Sequence, residues 1–154
     1  MAVYGPKAVG SIYSTDPVFF HGIAGGTFAK GDFVMQEGTS GQIIACTAGS
    51  SILGIARSAG VDGEACTVDI TPGMRVIMDN DLDTQTSINA TDCLEFANIT
   101  GGTGAQLVDT NTHSATKAQL LLLKNNPQGF GCDSDVSMGL YLVVERGMSE
   151  QGAA

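Results

Sequence analysis

Residues 66–79 read Cys66-Thr67-Val68-Asp69-Ile70-Thr71-Pro72-Gly73-Met74-Arg75-Val76-Ile77-Met78-Asp79. Cys66, Val68 and Ile70 alternate with Thr67, Asp69 and Thr71, and Met74, Val76 and Met78 alternate with Arg75, Ile77 and Asp79. A period of two belongs to extended chain, because successive Cβ atoms leave opposite sides of a strand. Short runs of this kind, bounded by turn residues, read as half-buried strands.

Working outward, the pattern recurs where Met138, Leu140, Leu142 and Val144 alternate with Gly139, Tyr141, Val143 and Glu145. Further strands are expected at residues 32–36, 42–47, 52–57, 93–99 and 106–109. Their connections, Glu37-Gly38-Thr39-Ser40-Gly41 and Gly101-Gly102-Thr103-Gly104, are hairpin-length and rich in glycine. The expected fold is all-β, a small barrel or sandwich of short antiparallel strands. Residues 114–124 (SATKAQLLLLK) offer good helix formers and a Ser114 N-cap, yet read equally as a strand leading through Asn125-Asn126-Pro127. The strand is the expectation adopted. Residues 27–45 can be laid over 87–109 with Asp32 on Asp92 and Gln42 on Gln106, as two similar hairpins or a distant duplication.

The first 26 residues stand apart. Pro6, Pro17 and several glycines separate Tyr4, Tyr13, Phe19 and Phe20, with too little periodic apolar content for a core. The stretch reads either as a frayed terminus with a first edge strand or as an extended arm ordering on a neighbouring subunit. In the second case Val3, Tyr4, Tyr13, Phe19 and Phe20 are the partner-binding candidates. The domain expectation is an arm over 1–26, a β-rich core over 27–82 and a second β-rich half over 83–154 packed on it.

Composition narrows the function. The 154 residues include 7 Lys and Arg against 16 Asp and Glu, a formal net charge of -9. Nucleic acid is disfavoured as a partner, because neutralising phosphates takes clustered basic side chains. An anionic membrane surface would repel the chain. The apolar runs 120–123 and 140–144 fall far short of the ~20 residues that span a bilayer. The opening MAVYGPKAVGSIYSTDPVFF lacks the basic start and apolar stretch of a secretory signal. Synthesis in a cytoplasm is expected, and the sequons at Asn89 and Asn98 then carry no weight. Charged residues make up 15% of the chain, against ~25% in an average soluble domain. Part of the surface is therefore expected to face other protein.

Chemistry is sparse. Cys46, Cys66, Cys93 and Cys132 form no CxxC pair and read as buried free thiols, with a Cys46–Cys66 bridge as a minor option. His21 and His113 sit in no catalytic motif, and an enzyme would need a pocket joining one of them to a cysteine or carboxylate. Asp79-Asn80-Asp81-Leu82-Asp83 opens like an EF-hand loop, but Thr84 stands where glycine is needed and Ala90 where glutamate is. A solvated acidic turn is expected there, with weak calcium binding at a subunit contact as the alternative. No catalytic residue, metal ligand or cofactor is assigned.

Residues 29–78 have a distinctive order. Lys30-Gly31-Asp32-Phe33-Val34 is followed by Gly41-Gln42-Ile43-Ile44-Ala45, Thr47-Ala48-Gly49 and Ile52-Leu53-Gly54-Ile55-Ala56, then by Gly60-Val61-Asp62-Gly63-Glu64 and Cys66-Thr67-Val68-Asp69-Ile70. This order resembles the capsid decoration (cement) proteins of tailed bacteriophages. The resemblance implies a virion structural protein, not an enzyme, that binds the outside of an expanded capsid and braces joints between coat subunits. It implies the major capsid protein as partner, a homotrimer at local threefold positions, and an N-terminal arm that orders on the shell. Compared with the shortest such proteins, this chain adds a segment from Asp83 onward. A phage tail, fibre or other surface-binding β module is the alternative.

Overall fold

The computed structural model describes residues 5–82, 88–125 and 137–144. Among them the strands are β1 (Lys7–Ser11), β2 (Phe19–Ile23), β3 (Phe33–Gln36), β4 (Ile43–Ala45), β5 (Gly54–Ala56), β6 (Ala65–Asp69), β7 (Met74–Asp79), β8 (Phe96–Ala97), β9 (Ile99–Thr100), β10 (Leu107–Val108), β11 (Leu120–Asn125) and β12 (Met138–Val143). Two five-stranded antiparallel sheets pack on each other. One runs β1-β7-β12-β11-β8, the other β2-β6-β5-β3-β4, and β9 and β10 form a separate hairpin. The fold is all-β and sandwich-like, as the alternation requires.

The decisive stretch 66–79 spans both layers. β6 pairs with β2 from Phe19↔Asp69 to Ile23↔Ala65, and β7 pairs with β1 from Lys7↔Ile77 to Ser11↔Met74. Between these pairings Ile12 N–H donates to the Gly73 carbonyl and Ile70 N–H to the Val18 carbonyl. Residues 7–23 and 65–77 are therefore one antiparallel ribbon that bends from the first sheet into the second. The described part of the N-terminal region is not a detached arm; it gives each sheet an edge strand. Strand pairing draws on backbone N–H and C=O groups, which every residue but proline has, so sparse apolar periodicity did not prevent it. The layers also divide differently from the expected 27–82 and 83–154. β2 to β6 form one sheet, while β1 and β7 join the strands that follow residue 82.

The main core lies between the sheets. Phe33, Cys46, Ile52 and Ile55 of one meet Met74, Val76, Met78, Leu120, Leu122 and Tyr141 of the other. Truncating a buried aromatic such as Phe33 to alanine would cost about 3–5 kcal/mol. Neighbouring residues on β3 and β5, Val34 and Ala56, face a second cluster with Phe28, Ile43, Cys66 and Val68. The second sheet curls around that cluster until Gly25 N–H reaches the Ile43 carbonyl at 2.7 Å, without closing into a barrel. β7 departs from the half-buried expectation. Ile77 and Asp79 are buried as well as Met74, Val76 and Met78, because β7 lies between β1 and β12 and Ile77 packs with Met138 and Leu140. On β12 the face that reaches the main core is that of Tyr141 and Val143.

The remaining expectations resolve locally. Residues 114–124 are strand from Leu120 onward, β11, pairing with β12 and β8. The glycine-rich turn 101–104 joins β9 to β10; Gly101 has φ 84°, and a Cβ there would lie 2.3 Å from the Ala105 carbonyl oxygen. The expected strand 93–99 is broken: a short 3-10 turn, Ala90–Asp92, precedes it, and Leu94 takes φ 69° before β8 begins. Cys46, Cys66 and Cys93 are free thiols, with Cys46 and Cys66 in different clusters, so no bridge joins them. Cys132 lies outside the described residues.

Candidate functional site

The anticipated partner-binding residues do not form one set. Val3 and Tyr4 lie outside the described residues. Phe19 and Phe20 are neighbours on β2 and therefore face opposite ways. Phe20 turns inward against the cluster under the curled sheet. Phe19 is 44% exposed, with the Arg57 guanidinium 5.2 Å above its ring. His21 and Ile23 follow Phe19 on the outer face, and His21 Nδ1 meets Thr67 Oγ1 across the strand pair at 3.1 Å. Tyr13, 56% exposed, lies in the bend of the ribbon with Ile12. Ile12, Tyr13, Val18, Phe19 and Ile23 are five of the seven large apolar side chains exposed among the described residues. Ile12, Val18 and Ile23 were missed by sequence reasoning; the period of two from Phe19 would have found Ile23.

In its described part, residues 79–82, the acidic stretch is not a solvated turn; Asp83 lies outside the described residues. Asp79 and Asn80 are buried. Asn80 Nδ2 donates to the Ser137 carbonyl, and its Oδ1 accepts the Tyr141 hydroxyl at 3.0 Å. Asp81 accepts from Thr110 N–H at 3.0 Å and from the Thr110 hydroxyl. These groups satisfy backbone and side-chain donors where β7 leaves the sheet, so burial is compensated. Asp32 works in the same way, accepting from Ala29 N–H and from Gly104 N–H in the glycine-rich turn.

His113 is the histidine that meets carboxylates. It follows a second 3-10 turn, Thr110–Thr112, and precedes Ser114, which exchanges two backbone hydrogen bonds with Phe96. That antiparallel bridge sets His113 opposite Ala97, on the same face as Glu95 and diagonal to it, while Glu95 N–H donates to the Asp92 carbonyl at 3.0 Å. One ligand-capable atom each of Asp92, Glu95 and His113 lies within 4.8 Å of the others. The other side of the imidazole meets Tyr141, whose oxygen is 3.3 Å from Nε2. His113 Nδ1 is shut from solvent and has no hydrogen-bond partner. Desolvation holds the imidazole pKa below its ordinary 6.5, although Asp92, Glu95, Asp109 and Asp81 pull the other way.

Other features carry less chemistry. Burial pushes the Cys46 thiol up to about 12 and raises that of Cys66, so both stay protonated and unreactive at neutral pH. A cleft of about 200 Å³ in the bend of the ribbon, bordered by Ala8, Pro17, Thr71 and Met74, has Asp69 as its one ionisable side chain among the described residues. No protein-family model matches this chain, and no curated protein matches it.

Proposed function

We propose that this protein is a virion structural component that binds the outer surface of a tailed-phage capsid and braces it by bridging coat subunits. The observation that carries the reading is the run of exposed apolar side chains along the edge ribbon, from Ile12 to Ile23. A lone soluble domain scatters such residues, whereas five of the seven among the described residues fall in this one ribbon, a concentration that suits a contact surface. The low charge content and the order of residues 29–78 support the same reading. Docking through a sheet edge draws on backbone hydrogen bonds for affinity, with Phe19 and Ile23 as anchors on one outer face. Assembly as a trimer would multiply weak, identical contacts into high avidity on a repeating shell. The role needs no cofactor and no catalytic group.

The test is binding of the purified chain to expanded shells lacking it. Saturable occupancy is expected, reduced at least ~10-fold by the pair Phe19→Lys and Ile23→Lys. Substitution is preferable to deleting residues 1–20, since that deletion removes β1. Attachment to cells or glycans instead of shells would assign the chain to a tail or fibre module.

A further inference from the structure

We propose that Asp92, Glu95 and His113 bind a single divalent transition-metal ion of the zinc class. Asn80 Oδ1 can only accept a hydrogen bond, so the Tyr141 hydroxyl proton is committed to it at 3.0 Å. The Tyr141 oxygen is then left as an acceptor for His113 at 3.3 Å, which places the ring proton on Nε2. In the neutral ring Nδ1 consequently carries a bare lone pair, and this atom is both buried and unpartnered. One nitrogen of this ring lies within 4.8 Å of an oxygen of each of the two carboxylates, so an unmet acceptor and two negative charges share one small region, which is costly. A cation placed among the three groups answers both the lone pair and the negative charge.

The donor set selects the ion. One imidazole and two carboxylates balance a 2+ charge, and imidazole disfavours magnesium and calcium, which prefer oxygen-only sites. The absence of a thiolate from the cluster disfavours copper(I). Three protein ligands are the complement of a zinc site whose fourth position is water. The Tyr141–Asn80 chain supplies what a ligating histidine needs on its far side, an acceptor that fixes tautomer and ring plane. The site is independent of the edge ribbon and of any capsid role.

Titrating the metal-free full chain with Zn²⁺, followed by calorimetry and by long-range ¹⁵N spectra of the histidine rings, tests this. One equivalent should bind, the His113 Nδ1 resonance should shift, and Nε2 should stay protonated. Glu95→Gln and His113→Asn should each weaken binding by about 100-fold or more, and Tyr141→Phe by about 10-fold. Far-UV circular dichroism identifies any variant that fails to fold, and the ring spectra of the unaltered chain do not depend on the variants. Absence of stoichiometric binding, an unmoved Nδ1 resonance, or zinc affinity kept in folded Glu95→Gln, which would place the metal on the thiols, overturns the proposal.

Discussion

Gln106 and Gln119 are buried amides that fasten neighbouring parts of the chain through backbone groups. Gln106 accepts the Phe33 N–H at 2.6 Å and donates to the Phe33 carbonyl at 3.1 Å. Gln119 accepts from Ile99 N–H at 2.9 Å and donates to the carbonyls of Thr47 and Ser50 at 2.9 and 2.6 Å. Replacing Gln106 by leucine leaves the Phe33 N–H buried and unmet, while the Phe33 carbonyl keeps the Cys46 N–H at 3.0 Å; the change should cost about 1–3 kcal/mol. Urea unfolding should show a lower midpoint at unchanged slope. Cys46 makes a different prediction. Its folded thiol titrates near 12 against an ordinary 9.0, so above pH 9 the unfolded chain holds fewer protons than the folded one. Stability therefore falls as pH rises from 9 toward 12, and Cys46→Ala should flatten part of that slope in urea midpoints taken from about pH 8 to 11. Leu94, 70% exposed, holds φ 69°, a conformation that costs a branched residue about 1–2 kcal/mol. Leu94→Gly should raise the unfolding free energy by up to about 1 kcal/mol, the glycine's own entropy cost taking the rest.

At the level of elements, the close contact of β5 with β6 sets the tightest constraint. A Cβ on Gly54 would lie 2.0 Å from the Asp69 carbonyl oxygen, a backbone atom that cannot step aside. Gly54→Ala should cost about 3 kcal/mol or more, seen as a large drop in the thermal midpoint or as failure to fold. Period-two alternation made β6, β7 and β12 legible, since Val68, Val76 and Tyr141 sit where a strand must place them. It could not show that Ile77 is covered on the far side of β7, because burial of a second face depends on neighbours distant in sequence. β1 and β2 were obscured by the same locality: Lys7 and Phe19 pair through backbone, with partners at Ile77 and Asp69. The clamps of Gln106 and Gln119 leave no periodic mark at all. Nor does the meeting of Asp92 and Glu95 with His113, which the Phe96↔Ser114 bridge creates. Reading Asp79–Asp83 by its spacing drew attention to carboxylates, of which Asp79 and Asp81 serve Ser137 and Thr110.

For the whole molecule, the charge deficit and the apolar edge point to association. Light scattering should find a discrete oligomer, a trimer on the proposed reading, with Phe19→Lys leaving the fold intact because its side chain is already half in water. The bent ribbon has a further consequence, for the order in which the chain is made. Residues 7–23 leave the ribosome well before their partners at 65–77, and β7 must in turn wait for β12 at Met138–Val143. The curled sheet can close on a nascent chain once Asp69 has emerged, since all its strands lie between Phe19 and that residue. The opposite layer cannot. Until β12 has emerged, β1 and β7 form a lone strand pair exposing Met74, Val76 and Met78, an unpaired edge prone to stick to other chains. Synthesis rate and chaperone supply, as much as final stability, should therefore govern the yield of folded protein.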